Sequence, residues 1–296
     1  MLVAISVGGC IDENTVGCPV DMHLIFYLDD NYEPHTYDTK VANDVTLYIF
    51  KDNRLTYSNI IPYSEIAGGK EYVLRKTPEI SGNIELIAWA VPPHRDLAFI
   101  PEYRFGDLFD DLFKRMEVDL STRAETRYKP LFYDIHMGNA TSVEAIDEPT
   151  RHMINMLYAP CRVEVRLHDQ LGAIDVSQPD KPPYVLVHGV MSQMNLRKQG
   201  TGEPAVVNVP LICSDVDDER YHTGRFGVLP SSEGQIVSVQ IISLDNVVTT
   251  LTVPTNTLPK GAYSGGLLIF DYTIGETYFY IEIDGWTIRI QIVEGI

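Results

Sequence analysis

Apolar and polar residues alternate with a period of two through much of this chain, the spacing that puts every second side chain on the same face of a β-strand. Asp21-Met-His-Leu-Ile-Phe-Tyr-Leu28 sets Met22, Leu24, Phe26 and Leu28 on one side, and Val45-Thr-Leu-Tyr-Ile-Phe50 does the same with Val45, Leu47 and Ile49. Ile84–Ala90 predicts a third strand, closed by Pro92-Pro93. The later half alternates too. Arg162–His168 turns Val163, Val165 and Leu167 inward, and Val206–Ile212 carries Pro210, which lacks a ladder donor and so predicts an edge or a bulge. Ile236–Leu244 and Val247–Val253 flank Asp245-Asn246, while Tyr278–Ile283 and Trp286–Val293 flank Asp284-Gly285. Asp-Gly supplies the positive φ angles of a tight hairpin turn. The last strand places Ile288, Ile290 and Ile292 on one face and is expected to be committed to its own hairpin, leaving no C-terminal arm to donate.

One segment departs from this period. Asp107–Met116 spaces Leu108, Phe109, Leu112, Phe113 and Met116 as an amphipathic helix would, with acidic residues at its start and Lys114-Arg115 at its end. A helix covering a sheet edge or face is expected there. Residues 138–150 are polar and turn-rich, which places a domain boundary near 150. The expected organisation is a tether over 1–20, an N-terminal β-sandwich over 21–150 and a C-terminal β-sandwich over 151–296. A length of 296 residues suits two domains of ordinary size.

Composition then narrows the partners. The chain has 41 acidic against 23 basic residues, a formal charge of −18, which opposes binding to a phosphate backbone and excludes nucleic acid as the expected partner. No run approaches the roughly 18 apolar residues of a membrane span. Any membrane attachment must therefore come from lipid.

The usual catalytic spacings are absent, and a glycosidase-type carboxylate pair is set by three-dimensional separation rather than by spacing in sequence. Gly261-Ala-Tyr-Ser-Gly-Gly266 is not a nucleophile elbow and predicts a loop; the eight histidines form no H-E-x-x-H pair, and His94 and His168 suit surface positions. Ser214–Glu219 clusters carboxylates that could hold calcium, but without the spacing of an EF-hand loop it is expected to be a solvated acidic loop. Asp29-Asp30-Asn31 and Asp110-Asp111 take the same reading. The 17 tyrosines could stack on sugars and equally suit half-buried sheet surfaces. No enzyme activity, cofactor or metal is expected.

The N-terminus carries the sharpest local signal. Met1-Leu-Val-Ala-Ile-Ser-Val-Gly-Gly-Cys10 is an apolar run ending in small residues before a cysteine, and it resembles the end of a bacterial lipoprotein signal peptide. Cys10 would then be the lipidated first residue of the mature protein. Secretory signals also carry a basic n-region, and no Lys or Arg precedes Cys10; the alternative is an N-terminal buried strand with a structural thiol. Asp12-Glu13 after the cysteine resembles a surface-export signal of lipoproteins. With Cys10 lipidated, Cys18, Cys161 and Cys213 can form at most one disulfide, and all three pairings stay open.

Several segments, in order, resemble the FimB/Mfa-type fimbrial anchor (fimbrillin-associated lipoprotein) family. Val45–Leu55 is similar to its strand, Phe, polar turn and Leu, with Asn53 where glycine is commoner. Ile84–Ala90 is similar to its strand ending in Ala-Trp, Pro130-Leu-Phe-Tyr-Asp134 to its Leu-Phe-Tyr-Gly segment, and Ile154–Leu167 to the entry into its second domain. The resemblance is recognisable over about residues 10–170. It implies two tandem transthyretin-like β-sandwich domains, a lipid anchor in the outer membrane, here a palmitate-bearing Cys10, and a non-enzymatic role in holding the base of a fimbria. Shaft subunits would be gripped by β-strand addition. The alternatives are a shaft or tip subunit of the same polymer, or a surface carbohydrate-binding lipoprotein. Shaft subunits of such systems are often matured by cleavage at an arginine. The first arginine here is Arg54, inside the strand pattern, which favours a retained N-terminus.

Overall fold

The computed structural model describes residues 21–29, 34–36, 44–75, 77, 80, 82–90, 113–115, 126–131, 136–144, 150–215, 220–253 and 261–292. Strands dominate them. The first half forms one eight-stranded sheet from β1 (Met22–Asp29), β2 (Pro34–Thr36), β3 (Val45–Lys51), β4 (Arg54–Ile61), β5 (Tyr72–Leu74), β6 (Asn83–Ala90), β8 (His136–Glu144) and β9 (Thr150–Tyr158). The order is β2-β1-β9-β8-β6-β3-β4, with β5 also on β1. One four-residue helical turn, Tyr63–Ile66, follows β4.

Met22, Leu24 and Phe26 of β1 join Val45, Leu47 and Ile49 of β3 in a core that also takes Leu86, Ala88, Ile154 and Met156. The alternation predicted for these strands therefore holds at these residues, and the side chain of Leu28, expected on the same face, lies outside the described residues. The alternation describes only one face, because Tyr48, Phe50, Ile87 and Trp89 on the other are buried as well and belong to the apolar cluster that continues into the second half. Asp52 and Asn53, with φ of 51° and 63°, form the two-residue turn from β3 to β4, so Asn53 occupies a left-handed position that favours glycine.

The second half is two packed sheets. One has the order β13-β14-β10-β17-β18-β19, made of β13 (Ile212–Asp215), β14 (Arg220–Val228), β10 (Cys161–His168), β17 (Leu267–Thr273), β18 (Tyr278–Ile283) and β19 (Trp286–Gln291). The other runs β12-β11-β15-β16, from β12 (Gly200–Pro210), β11 (Tyr184–Asn195), β15 (Ser238–Ser243) and β16 (Asn246–Thr252). Val163, Val165, Phe270, Phe279 and Ile281 meet Val185, Val187, Val207, Val239 and Ile241 in one core. Where β10 and β14 shift register, the buried Thr223 hydroxyl accepts the Val165 amide at 3.0 Å and so fills the gap in the ladder.

β9 straddles the boundary expected at 150 and pairs with β1 in parallel and with β8, all within the first sheet. By sheet membership the chain passes from one half to the other at Ala159-Pro160. A short strap, residues 126–131, crosses as well. Its Tyr128 bridges to Val207 on β12, and Leu131 bridges to Gly227 on β14.

Three local expectations change. The helix expected over 107–116 is not formed at Phe113–Arg115, which is a strand, β7, on β11; the rest of that segment lies outside the described residues. β15 runs beside β11 only as far as His188, and Phe113–Arg115 takes up the ladder at Gln193–Asn195, where backbone groups would otherwise lack partners. A sheet edge made far away in sequence outweighs a short helical pattern. The turn between β15 and β16 is Leu244-Asp245, with φ of 48° and 65°, one residue earlier than predicted, because a bulge at Ile241/Ile242 shifts the register. Ile288 is 37% exposed while Ile290 is 5%, so the predicted apolar face of β19 is covered only away from its turn. Pro210 ends β12, an edge strand, as its missing donor predicts.

Candidate functional site

Cys10, Cys18, the tether 11–20, His94, Asp30-Asn31, Asp110-Asp111 and residues 216–219 of the acidic loop lie outside the described residues. The other two cysteines are far apart in character. Cys161 is buried and its thiol is pushed up to about 12 by burial, whereas Cys213 is exposed; neither is in a disulfide. Among the described residues no group of three or more His, Cys, Asp or Glu side chains is placed to hold a metal. No helix among them is long and apolar enough to cross a membrane.

Gly261–Gly266 is a turn leading into β17, closed by the Gly266 amide on the Tyr263 carbonyl at 3.0 Å. Its Ser264 is half-buried. It lines a recess of about 460 Å³ with Lys198, Thr201, Ser231, Ser232, Glu233 and Tyr263. Ser231 Oγ is committed to the Gly189 carbonyl and the Ala262 amide. Burial lowers the pKa of the Lys198 ammonium.

The outer face of the six-stranded sheet is more structured. The alternation of β10 that buries Val163, Val165 and Leu167 turns Arg162, Glu164, Arg166 and His168 outward. Glu164 gathers Arg166 Nε at 2.7 Å and Arg225 Nε at 3.4 Å, and this carboxylate raises the pKa of Arg166. Further along the same face His168 Nε2 lies 3.4 Å from Asp271 Oδ1. The ring of Tyr278 carries Arg289 over one face at 3.7 Å and meets Tyr280 edge-on, with centroids 5.6 Å apart. A recess of about 240 Å³ opens here, lined by His168, Gln170, Asp271, Thr273, Glu276, Tyr278 and Tyr280. His168 was expected only as a surface residue. Sequence alone could place it on the outward face of β10, but not beside Asp271, because that contact depends on β10 pairing in parallel with a strand about a hundred residues away.

A loop tied by several side-chain to backbone hydrogen bonds borders this recess. Asp169 is buried, and its carboxylate accepts the amides of Leu171 at 3.2 Å, Ala173 at 3.0 Å and Ile174 at 2.7 Å. Three backbone donors satisfy a charge that burial would otherwise penalise. The Ser243 hydroxyl accepts the next amide, Asp175, at 2.8 Å.

Comparison with known proteins bears on the whole chain rather than on either recess. The fold is similar to that of the fimbrial anchor protein Mfa2 from Porphyromonas gingivalis, with a TM-score of 0.58 at 15% identity over 92% of this chain and 100% of that one. It is also similar to a candidate polysaccharide-binding protein from Bacteroides thetaiotaomicron, with a TM-score of 0.61 at 15% identity over 92% and 98%. A fimbrial assembly protein from Parabacteroides distasonis matches with a TM-score of 0.50 at 11% identity over 92% and 98%. No curated protein matches by sequence. A sequence profile of the fimbrillin-A associated anchor proteins Mfa1 and Mfa2 matches residues 14–292, nearly the full length, so this nearly all-β chain belongs to that family and has a fimbria-associated or adhesin-like role at the cell surface.

Proposed function

We propose that the chain is the lipid-anchored base of a surface fimbria. The observation that carries this reading is the family match over residues 14–292, which begins just after Cys10. Cys10 would bear the lipid, and residues 11–20 would be the tether to β1. One acyl chain binds a membrane marginally and reversibly, whereas two or more hold it, so a multiply acylated cysteine gives durable anchoring in the outer membrane.

The shaft subunit would be held by β-strand addition, in which main-chain hydrogen bonds supply affinity and alternate side chains supply specificity. The sheets offer edges for this at β4, β13, β16 and β19, whereas the edge of β12 is partly taken by Tyr128. The two halves would be two transthyretin-like domains. The pairing of β9 in the first sheet supports dividing them at Ala159-Pro160 rather than at 150.

The test is Cys10→Ala in the full-length precursor. The variant should fold, leave the membrane fraction and release its fimbriae into the medium. Unchanged partition with the membrane would remove the lipid anchor. Failure of the wild-type protein to co-purify with fimbrial subunits in mild detergent would remove the fimbrial base.

A further inference from the structure

We infer that the recess between β10, β17 and β18 on the outer face of the six-stranded sheet binds one neutral pyranose of a glycan, with Tyr280 against the sugar ring and His168 and Asp271 on its hydroxyls. This goes beyond the anchoring role and stands or falls separately from it.

Strand register assembles the site. Asp271 is the direct cross-strand partner of Tyr280, and His168 is the partner of Thr273, so imidazole, carboxylate, hydroxyl and phenol lie in two adjacent rows on one face. A sugar needs this mixture, since one face of a pyranose presents C–H groups that pack on an aromatic ring while its rim presents hydroxyls that both donate and accept. Tyr280 is 41% exposed and supplies the apolar wall. The His168 to Asp271 separation of 3.4 Å is long for a hydrogen bond, which leaves both groups able to take adjacent hydroxyls. Gln170 and Thr273 add an amide and a hydroxyl at the margin.

The site is also held in shape before any ligand arrives. Arg289 covers one face of Tyr278, whose ring meets Tyr280 nearly at right angles, 84°. The turn carrying Glu276 is tied down by the Tyr272 hydroxyl, which donates to the Glu276 carbonyl at 3.2 Å, and by the Ile274 amide on the His168 carbonyl at 2.9 Å. Gln170 stands on the loop fixed by Asp169. Side chains fixed in advance lose less freedom on binding, which is what a small, shallow contact needs.

Charge and size select the class. Asp271 and Glu276 line the recess itself, while the cations beside it are engaged elsewhere, Arg166 with Glu164 and Arg289 with the Tyr278 ring, so the lining disfavours phosphate, sulfate and uronate. A volume of about 240 Å³ matches one sugar ring.

The test is saturation-transfer NMR on the full chain with the methyl glycosides of galactose, glucose, mannose and N-acetylglucosamine. At least one should bind saturably in the millimolar range, with transfer strongest on one face of its ring. Tyr280→Ala should weaken it by roughly tenfold or more, Tyr280→Phe should keep most of it, and Asp271→Asn should weaken it several-fold. Matching melting curves establish that the variants are folded, and Asp271→Asn decides the matter if Tyr280→Ala is not. Absence of transfer from all four glycosides overturns the inference. So does transfer that survives both substitutions, or loss of fimbrial subunit capture on Tyr280→Ala with no sugar bound, which would make this face a protein contact.

Discussion

Asp284, in the β18–β19 turn, and Leu267, at the start of β17, are joined twice: the Leu267 amide donates to Asp284 Oδ1 at 3.0 Å, and the Asp284 amide donates to the Leu267 carbonyl at 3.2 Å. The Tyr263 hydroxyl donates to the other carboxylate oxygen. One side chain thus ties the β18–β19 turn to the start of β17 and to the loop before it. Asp284 and Gly285 have φ of 47° and 83°, the positive angles that the Asp-Gly pair predicts.

Asp284→Ala removes the carboxylate and leaves a methyl side chain at a left-handed position. It should destabilise the protein by about 2–3 kcal/mol, seen as a lower denaturant midpoint with an unchanged slope. Asp284→Gly relieves the backbone and not the lost bonds, so its midpoint should fall between those of Asp284→Ala and the wild type.

Cys161 gives a pH dependence. Its folded pKa, about 12, is raised above the ordinary thiol value of 9.0 by burial, so the folded state favours the neutral thiol. The associated stability is fully present below 9.0 and is lost as pH rises from there towards about 12. The buried Tyr48 hydroxyl, raised from 10.0 to about 12, acts in the same direction. Thermal stability should therefore decline on the alkaline side of pH 9. In native protein at pH 8, iodoacetamide should modify Cys213 and spare Cys161, with peptide mass mapping as the readout. Both should react after denaturation.

Legibility of the sequence tracked how many faces of each strand are wet. β10 alternates cleanly because its outward residues are charged or ionisable, and Val163, Val165 and Leu167 are buried as that alternation predicts. β3 and β6 looked similar, but Tyr48, Phe50, Ile87 and Trp89 are buried on the second face, and alternation cannot report a face that carries apolar residues on both sides. The segment at 107–116 carried a helical spacing, and the competing signal, an open stretch of β11, arises only after folding. The tyrosine recess was hidden for the same reason. Its residues are ordinary surface types until parallel pairing of β10 with β17 brings His168 beside Thr273 and Asp271.

Gly227 marks a contact that the strand pattern could not foretell. A Cβ there would stand 2.7 Å from the Tyr158 hydroxyl and 3.1 Å from Leu131 Cβ, where the 126–131 strap bridges to β14 through reciprocal bonds of 2.9 and 2.6 Å. Gly227→Val should displace the strap at a cost of about 1–3 kcal/mol. Hydrogen exchange should show faster exchange at the Leu131 and Gly227 amides. Unaltered protection at both would mean that the strap does not depend on this close approach.

Deleting residues 287–296 removes nearly all of β19, whose Ile290 is buried in the shared core and whose residues pair with the whole of β18 from Tyr278 to Ile283. The deletion strips the hydrogen-bonding edge of β18 and uncovers Phe279 and Ile281, which are 2% and 0% exposed in the intact chain. A bare edge beside a bare core is both unstable and prone to pairing with other chains. The truncated protein should therefore lose its cooperative thermal transition, or aggregate, while the first sheet, which has its own core around Leu24, Leu47 and Leu86, retains protected amides. The opposite result has a distinct meaning. If the truncated chain melts like the full one and yet no longer captures fimbrial subunits, β19 is an exchangeable arm rather than a structural strand, and the terminal hairpin belongs to the assembly mechanism.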